Sequence, residues 1–350
     1  MNAGAVWWGQ IGNSLRLLSR VTESLRDHRT TLLQFPAHLP WRERFEEEID
    51  LRRTAFSMDR RLRRLAWDGK EEPGAFILRK LCSPQAQARY WPGESYAAYL
   101  GGSRGEMILC DYDVWISGIR EKEGLFDWID FVSRYEEKAG QSERRAVFLL
   151  EYSGAPIRIA SLDQIPYQVS ESDCRVFCLE MASDMADNAL RAYRAELALC
   201  VGDSVPELCA ALLETGERLL AEPLSTALEI LNRTDSPFPA RTESEIMSAV
   251  WRAQVVLLFP VLERRRFDFI AKYETPLLRC LPIINSNGDQ ITEPFDLEIG
   301  ALYYAVTHTG YAFVPQEVEE IRLCRRIRNL LAHNQPASYA DVREVLAMEN

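Results

Sequence analysis

Apolar residues recur at helical spacing near the N-terminus, where Ile11, Leu15, Leu18 and Val21 form one stripe. Trp7 and Trp8 precede the stripe and are expected to anchor it to a neighbouring domain. The period then shortens. Residues 30–35 make a strand-like run that Pro36 ends, and Pro40 sits near the start of a helix opening with Trp41-Arg42-Glu43-Arg44. Three more apolar runs read as strands, over 106–116, 146–152 and 174–180, with a helical pattern over 125–138 between the first two. Apolar runs of this kind fit strands buried on both faces of a mainly parallel sheet. Strand, helix, strand is the order of an α/β layer.

From residue 184 the helical period takes over. Leu190, Tyr193, Leu197 and Val201 make one stripe, and Leu208, Leu212, Leu213, Leu219 and Leu220 a second, which predicts two helices over 184–233. Residues 232–239 are polar and proline-containing and read as a linker. A long helical pattern over 243–273 is interrupted by Pro260, which is expected to kink it. A turn with Asn-Gly at its centre follows at 285–289. Asp296 is placed to cap a helix running to Val306, and Pro315 to start another. A short last helix is expected over 340–348. The organisation read from the chain is an α/β domain over 1–183, a helical connector and linker over 184–236, and an all-α bundle over 237–350.

Composition changes this picture little. The chain has 350 residues, 47% of them hydrophobic and 27% charged, which suits a globular protein of two or three domains. No uninterrupted apolar stretch of membrane-spanning length is present, nor a basic start followed by an apolar core, so neither a membrane span nor a signal peptide is expected. The eight cysteines form no CxxC pair and mostly sit among Val, Leu and Phe, which points to reduced core thiols and a cytoplasmic setting. A net charge of −11 argues against a general nucleic-acid coat. Any RNA contact has to be local, through Arg322, Arg325, Arg326 and Arg328. A second cluster, Arg264-Arg265-Arg266, reads as a solvated helix face.

Chemistry concentrates near the C-terminus, in Arg325-Arg326-Ile327-Arg328-Asn329-Leu330-Leu331-Ala332-His333-Asn334-Gln335-Pro336. Val318, Ile321, Leu323, Ile327, Leu330 and Leu331 lead into it at roughly helical spacing, and Asn334 and Pro336 stop the helix. His333 then falls in the last turn, where the helix dipole favours a protonated imidazole. A guanidinium that neutralises charge on phosphorus oxygens and a histidine that moves a proton at neutral pH are what attack on a phosphodiester needs. The four histidines form no HExxH or histidine-carboxylate cluster, and no GxSxG is present, so no metal, cofactor or serine-elbow hydrolysis is expected. His308 is expected in an exposed loop. The tryptophans read as core and interface residues, since basic residues are not regularly interleaved with them.

The run Arg328-Asn329-Leu330-Leu331-Ala332-His333 resembles the signature of the HEPN superfamily: arginine, a polar residue, a few residues, then histidine. The resemblance covers about the last third of the chain. It implies an antiparallel helical bundle and metal-independent RNA cleavage, in which the ribose 2′-hydroxyl attacks the adjacent phosphorus and leaves a cyclic phosphate. His333 would be general acid or base, Arg328 would stabilise the pentacoordinate state, and Asn329 would orient one of them. It also implies a site shared between two facing bundles, hence a homodimer or higher oligomer. The order of elements upstream looks like a P-loop NTPase of the STAND type that has lost its phosphate loop. The first strand leads into Phe35-Pro36-Ala37-His38-Leu39-Pro40-Trp41, not GxxxxGK[ST], and only Glu151 stands where a pair of acidic residues would hold magnesium. The glycine-rich stretch 101–105 precedes a strand and reads as a flexible turn. Proteins that join such modules serve in bacterial conflict, such as phage defence. A non-catalytic adaptor within a larger defence complex is the alternative expectation.

Overall fold

A computed structural model of the chain describes residues 2–56, 59–102, 108–284, 288, 290–308 and 311–348. The described chain divides into two compact units, Asn2–Asp173 and Cys174–Asn350.

The first unit runs α1 (Ala3–Gln10), α2 (Gly12–Arg26), β1 (Thr31–Gln34), α3 (Arg42–Arg53), β2 (Arg61–Ala66), α4 (Pro73–Leu81), α5 (Pro84–Arg89), α6 (Tyr96–Gly102), β3 (Tyr112–Ile119), α7 (Lys122–Ala139), β4 (Val147–Tyr152) and β5 (Asp163–Pro166). The five strands form one parallel sheet in the order β2-β3-β4-β1-β5. Alternate residues serve its two faces. Val114, Ile116, Phe148 and Leu150 pack with Phe76, Leu100, Trp128, Val132 and Tyr135 of α4, α6 and α7. On the other face Phe45 of α3 lies edge-on to Trp115, their ring centroids 5.7 Å apart, and tilts against Trp8 at 4.6 Å. Trp7 and Trp8 are therefore core residues of their own unit, and the Trp8 indole N–H donates to the Pro40 carbonyl at 2.9 Å.

Both ends of the sheet depart from the sequence reading. β2 carries Arg61, Arg63 and Arg64 outward, so its six residues show no apolar run, and it sits at one edge. β5 is four residues long, ends on Pro166 and lies at the other edge. β3 starts only at Tyr112, because Asp111 takes a left-handed φ of 60° and pairs with Arg144 at 2.6 Å. Residues 106 and 107 of the expected strand, and 103–105 of the glycine-rich stretch, lie outside the described residues. The run 174–180, expected as a strand, is helical and belongs to α8 (Glu171–Met181). Its buried positions, Cys174, Phe177, Cys178 and Met181, have the spacing of one helix face. Ser170 starts it: its hydroxyl accepts from the Asp173 N–H at 3.1 Å, while the Asp173 carboxylate accepts from the Ser170 N–H at 3.2 Å, a reciprocal cap.

The second unit continues with α9 (Asn188–Val201), α10 (Pro206–Leu213), α11 (Glu217–Ala221), α12 (Pro223–Leu231), α13 (Glu243–Lys272), α14 (Glu274–Leu278), a two-residue hairpin of β6 (Ile283–Ile284) and β7 (Gln290–Ile291), α15 (Ile299–His308), α16 (Pro315–Ala332) and α17 (Tyr339–Ala347). Four helices thus replace the two expected over 184–233, with Pro206 and Pro223 each opening one and Gly216 breaking the path at a φ of 66°. Residues 232–239 join α12 to α13 inside this unit. The division between the units falls after Asp173, ahead of the expected position. Asp296 closes a short 3-10 turn, and α15 starts beyond it at Ile299. The expected turn residues 285–287 and 289 lie outside the described residues.

α13 is the axis of this unit. Thr242 and Glu245 form a full capping box at its start, and the helix continues through Pro260. It packs against α9, α12, α16 and α17. By length and composition alone it passes as a membrane span, with a mean hydropathy of 1.5 over its most apolar window. Its buried residues, Ile246, Ala249, Val250, Ala253 and Leu258 among them, are those facing the neighbouring helices of the bundle.

Candidate functional site

α16 begins with Pro315 at its first position, where the missing N–H costs nothing, and buries Ile321, Cys324, Ile327 and Leu331. Its end is tightly specified. His333 is the C-cap, and Asn334 takes a left-handed φ of 57°. The Gln335 N–H donates to the Leu330 carbonyl at 2.9 Å and the Asn334 N–H to the Leu331 carbonyl at 3.2 Å, the paired bonds of a Schellman ending. Two residues of α13 hold this end from the side. The Trp251 indole N–H donates to the Leu331 carbonyl at 2.7 Å. Buried Gln254 accepts from the Ala337 N–H at 2.7 Å and donates to the Ala337 carbonyl at 3.0 Å.

The side chains of the motif go different ways. Five residues on an α-helix turn through about 500°, so Arg328 and His333 leave it roughly 140° apart. Half-buried Arg328 faces α15, with the exposed Glu298 carboxylate 3.5 Å from its guanidinium. His333 is exposed and continues the stripe of Arg322, Arg326 and Asn329. Asn329 lines a 650 Å³ cavity together with Arg322, Arg325, Arg326, Tyr303, Glu319, Leu323 and Glu344, three cations against two carboxylates. The structure thus gathers Asn329 and three of the four arginines expected to contact RNA, Arg322, Arg325 and Arg326, in one place. It sets Arg328 on the neighbouring face, and neither Arg328 nor His333 lines the cavity.

The arginines differ in their company. Arg322 pairs with Glu319 at 3.4 Å, both largely exposed. Arg326 pairs with Asp341 of α17. Arg325 lies over the Tyr303 ring, 4.9 Å from its centroid, with no carboxylate partner among the described residues. Arg265 and Arg266 are engaged elsewhere, the first with Glu320 and the second with Glu263 at 2.8 Å and the Leu297 carbonyl at 3.0 Å. His308 ends α15 rather than lying in a loop. Its ring stacks on Tyr304 with centroids 4.0 Å apart. Tyr303 was missed in the sequence because it reads there only as a core position of its helix.

In the first unit the carboxyl ends of β1 and β4 meet where a phosphate loop would be sought. Gln34 is followed by Phe35, whose N–H donates to the Tyr152 carbonyl at 3.0 Å, and Trp41 takes a φ of 41° before α3 begins. Arg42, the first residue of α3, grips Glu151 through two hydrogen bonds of 2.7 and 2.6 Å. The Trp115 indole N–H adds a third at 2.9 Å. The hydrogen bond to Glu151 raises the Arg42 pKa, so the guanidinium stays charged. A larger cavity of 1070 Å³ opens beside the ends of β2 and β3 and is lined by seven carboxylates, including Asp68, Glu121, Asp127 and Asp130, against Lys70, Arg120 and Arg134. That balance repels a polyanion, so the arginine-lined cavity on α16 is the candidate for RNA.

No protein-family model matches the chain, and no curated protein matches it.

Proposed function

We propose that the chain is a cytoplasmic effector whose second unit is a HEPN-like endoribonuclease acting without a metal, in a bacterial anti-phage or toxin-type system. The supporting observation is the fixed end of α16: His333 sits at a Schellman ending braced by Trp251, one turn from Asn329 in a cavity lined by three arginines. In the reaction the 2′-oxygen bonds to phosphorus as its proton leaves, and the 5′-oxygen departs with a proton. His333 serves one of these transfers, Arg328 takes the charge of the pentacoordinate phosphorus, and Asn329 orients the group it touches. Since Arg328 and His333 diverge on one helix, the site is completed by a second copy facing the first. The first unit, with Arg42 on Glu151, is read as a degenerate P-loop-like regulatory scaffold that does not hydrolyse ATP.

The divergence of Arg328 and His333 also favours a second reading, a non-catalytic adaptor in a larger defence complex. One experiment separates the two. Purified chain is incubated with labelled RNA in EDTA, and products are assayed for 2′,3′-cyclic phosphate ends. Arg328→Ala and His333→Ala, folded by circular dichroism, abolish cleavage if the nuclease reading holds. Activity equal to the parent overturns it.

A further inference from the structure

We infer that Tyr303 and Arg325 form a stacking platform for one unpaired base of a single-stranded RNA, beside a phosphate held by Arg322 and Arg326. The inference rests on the ribonuclease reading and names a subsite for it.

A guanidinium that lies over an aromatic ring, with no carboxylate partner among the described residues, is free to stack on a second flat group. Arg325 is exposed and lies 4.9 Å from the Tyr303 centroid, while Tyr303 is half-buried and fixed on α15. Arg325 and Tyr303 both line the 650 Å³ cavity, a volume in the range of small-ligand sites. Bases splayed out of single strands stack on aromatic rings and on arginine planes. Base, guanidinium and ring then form three layers. The neighbouring charges suit the rest of a nucleotide. Arg322 is held only by Glu319 at 3.4 Å, both side chains about two-thirds exposed, a pair that water screens and a phosphate displaces easily. Arg326 lines the same cavity from the next turn and turns from Asp341 to meet a phosphate, and Asn329 supplies an amide donor and acceptor. Glu344 on α17 is the one cavity carboxylate facing in from another helix, placed to accept from an exocyclic amine. Duplex RNA cannot use the platform, because its bases are already stacked.

Charge and planarity are separable here, since lysine keeps the charge of arginine and loses the plane. Binding of a fluorescent single-stranded RNA is measured by anisotropy in the His333→Ala background, which prevents cleavage. Arg325→Lys and Tyr303→Ala each weaken binding about tenfold, Tyr303→Phe restores most of the loss, and an abasic strand of the same length shows no loss with Arg325→Lys. Melting curves establish that each variant is folded. Arg325→Lys binding like the parent, or duplex RNA binding as tightly as the single strand, overturns the platform. The two readings fail separately. A parent that cleaves RNA while Arg325→Lys binds unchanged keeps the nuclease and loses the platform. A parent that never cleaves, but loses single-strand affinity in Arg325→Lys, keeps the platform and loses the nuclease.

Discussion

Arg42 donates two parallel hydrogen bonds to Glu151, at 2.7 and 2.6 Å, across the carboxyl end of the sheet. Glu151 is nearly buried and Arg42 about 39% exposed, so the pair is half in solvent. Removing the guanidinium leaves a buried carboxylate with the Trp115 N–H as its remaining strong donor. Arg42→Ala is expected to lower stability by about 2 kcal/mol, less than for a fully buried pair because water reaches one partner. Urea titration of the variant measures it. An unchanged midpoint would show that the pair is ornamental.

Gln254 is the second pressure point. Replacing it with leucine keeps the volume and strips the Ala337 N–H and carbonyl of their partners. Each stranded group costs roughly 1–3 kcal/mol. The melting temperature should fall, and, if the nuclease reading holds, RNA cleavage should fall more steeply than the folded fraction, since the segment after His333 loses its tether. Activity that tracks the folded fraction alone would limit Gln254 to a packing role.

Acid should loosen the contact between α13 and α16. Glu317 accepts from the Lys272 ammonium at 2.8 Å and the Tyr273 hydroxyl at 2.6 Å, which holds its carboxyl below the usual carboxylate range. A lowered folded pKa adds stability that is fully present above the unfolded value, about 4.3, and is lost as pH falls through the folded value. Glu317→Gln is therefore less stable than the parent at pH 7, and the gap closes towards pH 3. A gap independent of pH would assign the contact to shape and not charge.

At the alkaline end the thiols act in the opposite sense. Burial pushes Cys82 up to about 11 and Cys324 up to about 12, and burial with Glu196 nearby does the same for Cys200. The unfolded chain releases these protons near 8.5, while the folded chain holds them, so stability declines as pH rises from there. At pH 10 an alkylating reagent should modify Cys82, Cys200 and Cys324 slowly in the native protein and rapidly once denaturant is added. Equally rapid modification of the native protein at that pH would contradict the burial.

Much of the fold was legible where burial is two-sided. Every residue of Val147–Tyr152 is buried, and its apolar run announced it. The edge strands were silent for the same reason in reverse: β2 has one neighbour strand, Arg61 and Arg63 are exposed, and Arg64 pairs with Glu46 and Asp50. The run 174–180 misled because its apolar residues are nearly contiguous, and only the spacing of Cys174, Phe177, Cys178 and Met181 marks a helix. Pro315, Asn334 and Pro336 marked the limits of α16 correctly. The divergence of Arg328 from His333 was implicit in their spacing, since a helix brings residues three or four apart together and not five. Tyr303 comes from another helix, and no local pattern links it to Arg325.

The two margins of the sheet also bear on how copies of the chain meet. β2 presents the exposed Arg61 and Arg63, and β5 a short margin closed by a residue without an N–H. Strand-by-strand growth from either side meets charge repulsion or a missing donor. Sheet extension is thereby disfavoured, so a fibrillar by-product of overexpression would be out of character for this chain.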